Sequence, residues 1–168
     1  MLKVLVPTDG SASSQHGVRR VVSEYLLRKD LDIHIVNVQR PFSRHISRFL
    51  DWNKRKDFHY ERSEEALLPA RKALDGAGIP YTVHAEVGDK ATCIADVARR
   101  LGCDRIVMGT ARKSSLIRAV EDSITNKVVA RASVPVEVVA GDASSPLERV
   151  GIPAGLGAGL IALWLAAD

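Results

Sequence analysis

The sequence predicts an α/β protein: an open, mostly parallel five-stranded sheet with helices on both faces. Three observations carry that prediction. Short apolar runs alternate with stretches of helical periodicity, the runs end on turn residues, and helices of 10–15 residues separate them. At 168 residues the chain has room for one ordinary domain with a real core. Its 46% hydrophobic and 26% charged residues place it among globular chains, not disordered ones.

The first strand is "KVLVP" (3–7), a continuous apolar run that stops at the turn signal "TDGS". A helix follows, with Val18, Val21, Val22, Tyr25 and Leu26 spaced to share one face. "DIHIVNV" (32–38) is the second strand, and "YTVHAEV" (81–87), introduced by "GIP", the third. Before that third strand, a helix is expected over about 60–77. "TCIADVARRLG" then places Ile94, Val97, Ala98 and Leu101 on one side of a helix that closes on Gly102. "DRIVMG" (104–109) is the fourth strand and "VPVEVVA" (134–140) the fifth. Val120, Ile124, Val128 and Ala132 give the helix between them its apolar face.

Composition excludes several classes. Lys+Arg exceeds Asp+Glu by 24 to 20, a net +4, and the basic residues are scattered instead of gathered on one helix. Cys93 and Cys103 lie ten apart with no CxxC, so neither a zinc site nor a disulfide framework is indicated, and a reducing compartment is the plain reading. There is no GxSxG, no GxxxxGK[ST] and no HExxH, and the five histidines are dispersed. His34 and His84 alternate with apolar residues in strands, where they point outward or contact a helix. A non-enzyme is expected.

Residues 39–62, "QRPFSRHISRFLDWNKRKDFHYER", interrupt the rhythm with basic charge and five aromatic residues. Such a stretch suits single-stranded nucleic acid through stacking and phosphate attraction. The interleaved Asp51, Asp57 and Glu61 favour instead a surface excursion or short helix that packs its aromatics on the body.

In an open parallel sheet, ligands sit outside the carboxyl ends of the strands where the strand order reverses. The first strand's tip is Pro7-Thr8-Asp9-Gly10-Ser11 and the fourth's is Met108-Gly109-Thr110. If these strands are neighbours, the two tips face one crevice. Asp9 has two readings there: an acceptor for a base or ribose, or a turn and N-cap residue.

Residues 1–140 resemble the universal stress protein family. The matching stretches are "VLVPTDGS", "VGDKATCIADVARRLGCDRIVMGT" and "SITNKVVARASVPVEVV", in that order and spacing. The resemblance implies the strand order 3-2-1-4-5, a stress role, homodimers paired through the last strand (134–140) and, in one branch, ATP at the tips of the first and fourth strands. Transferred to this chain, that site comprises Pro7, Thr8, Asp9, Val38, Met108, Gly109, Arg112, Ser123 and Ile124. The ATP-binding branch reads Gly-x-x-Gly, nine residues, then Gly-Ser. Gly109 and Ser123 match it, but Arg112 and Asp122 occupy the second and third glycine positions. A phosphate cradle needs unhindered backbone N–H groups, and a carboxylate beside it repels phosphate. Arg112, Lys113, Ser114 and Ser115 argue the other way, since cations and hydroxyls also hold phosphate.

Beyond the resemblance, 141–149 reads as a linker and 150–168 as an apolar tail. Val150 to Ala167 is an uncharged run of 18 residues, at the short edge of a bilayer span. Gly151, Gly155 and Gly159 form overlapping GxxxG units, and Trp164 suits an interface. A tail anchor, an arm on a dimer partner and a cover for an apolar patch all remain open. Two functional readings result. The first is a cytoplasmic, homodimeric stress-response regulatory or protective protein that works through protein partners, its nucleotide crevice degenerate or weak and its tail a route to the membrane. The second is an ATP-binding switch or slow ATPase with ATP as its cofactor.

Overall fold

The structure is a computed structural model that describes residues 1–42, 51–110 and 124–141. Its elements run β1 (Leu2–Pro7), α1 (Ser14–Arg28), β2 (Leu31–Gln39), α2 (Trp52–Gly76), β3 (Tyr81–Val87), α3 (Lys90–Leu101), β4 (Arg105–Thr110), α4 (Ile124–Arg131) and β5 (Val136–Ala140). All strand pairs are parallel, in the order β3-β2-β1-β4-β5. The α/β class, the five strands and their order agree with the sequence reading. Residues 142–168, with most of the linker and all of the tail, lie outside the described residues.

Strand alternation sorts the core into two halves. Val4, Val6, Ile33, Ile35 and Val107 face α1 and α2, where they meet Val18, Val21, Leu67 and Leu74. Leu5, Val36, Val38, Ile106 and Met108 face the other way, onto Ile94, Val97 and Ala98 of α3 and Val128 of α4. Burial on both faces explains why β1 reads as a continuous apolar run. β1 is the central strand, and Val4, Leu5 and Val6 are at most 1% exposed.

Helix ends follow local chemistry. Asp89 caps α3 by accepting from the Thr92 amide (3.0 Å) and hydroxyl (2.7 Å). Gly102 closes the same helix at φ +62, as its place in the sequence predicts. Asp51 accepts from the Trp52 amide at 2.7 Å and starts α2 there. That cap corrects the expectation of a helix beginning near 60. The aromatics are also less buried than expected: Trp52 is 63% and Tyr60 65% exposed.

The face read for α1 is only partly right. Gly17, Val18, Val21 and Glu24 are buried, whereas Leu26 is 56% exposed. Leu26 stands nine residues after Gly17, about 180° around the helix. Buried Glu24 instead accepts from Arg105 at 2.7 Å, and Arg105 also donates to Glu137 at 3.0 Å. With Arg20 donating to Glu137 at 2.8 Å, this network ties α1 to β4 and β5.

Gly17 and Gly109 let α1 approach β4 backbone to backbone. A Cβ at 17 would lie 2.9 Å from the Gly109 nitrogen, and one at 109 would collide with the Ser13 carbonyl oxygen. Overpacking of this kind costs on the order of 1–3 kcal/mol. Gly109→Ala is therefore expected to destabilise the protein by at least that much in urea unfolding. Gly76→Ala, at a helical site with nothing within 4 Å, should be neutral or stabilise by about 0.5–1 kcal/mol. Equal effects of the two substitutions would contradict the close approach.

Candidate functional site

β1 and β4 are hydrogen-bonded neighbours, and β2 lies on β1's other side. Successive connections from β1 thus leave in opposite directions, and a crevice opens at its carboxyl end. Pro7, Thr8, Asp9, Val38, Met108, Gly109 and Ile124 all line this crevice of about 270 Å³. Those seven sequence-predicted residues are brought together. Arg112 and Ser123 lie outside the described residues.

The crevice has an apolar floor and a polar lip. Val36, Val38, Ile94, Met108 and Ile124 supply the floor, and Asp9, Ser11 and Lys90 stand at the lip. Lys90 and Ile94 escaped the sequence reading as site residues because α3 presents them from another layer. Ile94 was legible only as a member of that helix's apolar face.

A hydrogen-bond chain shapes the β1–α1 loop. The Asp9 Oδ1 accepts from the Ser11 amide (3.1 Å) and hydroxyl (2.6 Å), closing a tight Asx turn. Ser14 gives its one hydroxyl proton to the Ser11 carbonyl at 2.9 Å. The Thr8 hydroxyl lies 3.2 Å from Ser14 Oγ, within hydrogen-bond distance. Thr8 therefore braces the loop from a buried position. Asn37, 1% exposed, donates to the Thr8 carbonyl at 2.7 Å and fixes the tip of β1 to β2. Asn37 is a polar residue in an apolar strand, a signal the sequence reading passed over.

Asp9 thus does what its turn reading predicts, and it stays exposed on the rim. Burial pushes its carboxyl up, but the Ser11 hydroxyl and amide bonds, Ser14 and the Lys90 charge outweigh this and hold it below 3.8. It is anionic at neutral pH, an acceptor beside an apolar slot. Gly109, by contrast, is required by helix packing whether or not a ligand binds.

Other candidate chemistry is accounted for structurally. Cys93 and Cys103 are free thiols, each pushed above the ordinary thiol range chiefly by burial. Among the described residues no group of three or more His, Cys, Asp or Glu is placed to hold a metal, and no helix is long and apolar enough to cross a membrane. His34 and His84, read as outward or helix-facing, instead stack on each other. Their ring centroids are 5.2 Å apart, and His34 Nδ1 lies 2.9 Å from His84 Nε2.

The sequence model of the universal stress protein family matches residues 1–140, and the chain belongs to that family. It is similar to a universal stress protein of Methanocaldococcus jannaschii, 29% identical over 142 residues, 82% of this chain and 81% of the relative. It is also similar to the stress response protein NhaX of Bacillus subtilis, 29% identical over 79 residues, 47% of this chain and 48% of that one. The fold matches a universal stress protein family protein of Arabidopsis thaliana with AMP bound, at 16% identity and a TM-score of 0.63, over 85% of this chain and 94% of that one. It matches the Archaeoglobus fulgidus universal stress protein in complex with dAMP at 19% identity and a TM-score of 0.60, over 83% and 98%.

The histidine pair gives a pH prediction. Burial first, then the His34 and Arg100 charges, hold the His84 pKa below 6.5, with Glu86 opposing them. The unfolded chain therefore takes this proton before the folded one does. Stability should hold above pH 6.5 and fall as the pH drops through and below it. His84→Gln should flatten that slope in urea midpoints measured from pH 7.5 to 5. An unchanged slope would assign the dependence to other groups.

Proposed function

We propose that this chain is a stress-response regulatory protein, acting as a homodimer, whose crevice takes an adenine nucleotide weakly. The observation that carries the reading is the join of an apolar slot to the anionic, exposed Asp9 at the β1–β4 switch point. An adenine ring suits the slot, and the Asp9 carboxylate is available to accept from a ribose hydroxyl. Solved relatives carry AMP and dAMP, consistent with this ligand class. Weakness follows from the sequence: Arg112 and Asp122 stand where glycine N–H groups would cradle phosphates. Gly109, the first glycine of that pattern, has a packing reason to be present without any nucleotide.

A second reading, the ATP-binding switch, is favoured by Lys90. It stands at the start of α3 on the crevice wall, a cation within reach of an extended phosphate chain. Dimerisation is supported by β5, an edge strand with Val138 45% exposed.

Calorimetry separates the two readings. The weak-crevice reading expects AMP, or ATP with magnesium, to bind with a dissociation constant of roughly 0.1–1 mM. Asp9→Ala should weaken binding by about tenfold or more, the loss of one charge-assisted hydrogen bond. Micromolar binding of magnesium–ATP over AMP would establish the switch reading instead. No heat with any adenine nucleotide up to about 10 mM, a regime worth under 3 kcal/mol, would remove the nucleotide from both. Val138→Lys is expected to convert a sedimenting dimer into monomer, and an unchanged mass would place the dimer contact elsewhere.

A further inference from the structure

A second cavity, of about 590 Å³, opens between the start of α2 and the carboxyl ends of β2 and β3. It is separate from the β1–β4 crevice and shares no lining residue with it. Its walls combine aromatic and apolar groups, Phe42, Trp52, Tyr60 and Val87, with the cations Arg55 and Lys56. Phe42 packs against two rings of α2, its centroid 5.1 Å from Phe58 and 4.8 Å from His59.

Two further observations point to a ligand. Arg55, His59 and Ser63, at i, i+4 and i+8, share one stripe of α2 and line the cavity. Arg55 Nε, His59 Nδ1 and Ser63 Oγ are all buried without a hydrogen-bond partner, and Ser63 as a whole is 2% exposed. Buried polar atoms are normally paired, so three unpaired ones together on one wall are an unmet demand for hydrogen bonds. The second is charge. Neither Arg55 nor Lys56 has a carboxylate partner among the described residues; Lys56 lies over the Trp52 ring at 5.6 Å. Glu86, the one acidic residue lining the cavity among those described, is already bound by the Arg100 guanidinium. The cavity therefore presents uncompensated positive charge beside aromatic surface.

We propose that this cavity binds a small organic anion with a flat or aliphatic apolar body. The body lies against Trp52 and Phe42, and its carboxylate or phosphate takes hydrogen bonds from Arg55 and Ser63. A bound anion gives the Arg55 guanidinium its missing counter-charge, and rotation of the Ser63 hydroxyl turns an unpaired donor toward it. The site would give the protein a second input, distinct in chemistry from the nucleotide crevice. A single-stranded nucleic acid would use the exposed aromatics and cations but not the deep Ser63 hydroxyl, so the buried polar stripe favours the small anion.

Trp52 reports directly on this site. In full-length protein carrying Trp164→Phe, Trp52 is the only tryptophan. Its emission should shift saturably with 2-naphthoate or 2-naphthyl phosphate, whichever anion is preferred, and not with 2-naphthylmethylamine. Arg55→Gln and Ser63→Ala should each weaken the preferred anion by about tenfold. Asp9→Ala, in the other crevice, should leave it unchanged, which keeps this test apart from the nucleotide test. Circular dichroism would confirm that the variants fold. Equal binding of the amine, no saturation by either anion up to 10 mM (about 2.7 kcal/mol), or full affinity in both variants would overturn the proposal. So would displacement of Trp52 emission by oligouridylate alone, which would make the surface a nucleic-acid site.

Discussion

The contact on which the site depends is the backbone approach of α1 to β4 at Gly17 and Gly109. With no Cβ on either residue, the first turn of α1 comes down onto the tip of β4. That descent brings the β1–α1 loop, with Asp9 and Ser11, beside Met108 and Gly109. A larger residue at either position would lift the helix and widen the gap between the two tips. The same helix is then fixed laterally by Glu24 through Arg105 to Glu137. A buried carboxylate is tolerated there because a guanidinium meets it within hydrogen-bond distance.

This packing changes how the loop glycine is understood. Gly109 lies where a nucleotide-binding pattern starts, yet its small size is demanded by Ser13 and Gly17. One glycine can serve two purposes, and only the purpose imposed by packing holds in the absence of ligand. The remaining polar groups of the crevice divide in the same way. Thr8 and Asn37 spend their hydrogen bonds on the shape of the β1 tip, while Asp9 holds the turn and still faces the rim. Site-lining residues are therefore not all ligand-binding residues.

Polar residues within the sheet show a related economy. His34 and His84 satisfy each other across β2 and β3, and His34 Nε2 lies 3.4 Å from Asp32 without hydrogen-bond alignment. At the far end of the same strands, the polar stripe of α2 has no such partners. The histidines share one hydrogen bond and leave only His34 Nε2 buried and unpaired, whereas the α2 stripe gathers three unpaired buried atoms on one wall of the second cavity.

The sequence by itself determined the class, the five strands, the helix between β3 and β4 with its Gly102 cap, and the residues that stand at the strand tips. These are local quantities: apolar runs, period and turn chemistry act within a few residues of the chain. Even locally there were limits. Asp51 started α2 early because one carboxylate was placed to cap it, and Leu26 turned outward because the buried stripe of α1 centres on Val21 and runs from Val18 to Gly17 and Glu24, away from Leu26. Only the tertiary structure decided the rest. Lys90 joined Asp9 from another layer, Arg105 reached Glu24 across 81 residues, and the two histidines met across 50. Such pairings depend on which strands become neighbours and how closely helices settle on them, and no local period encodes that geometry.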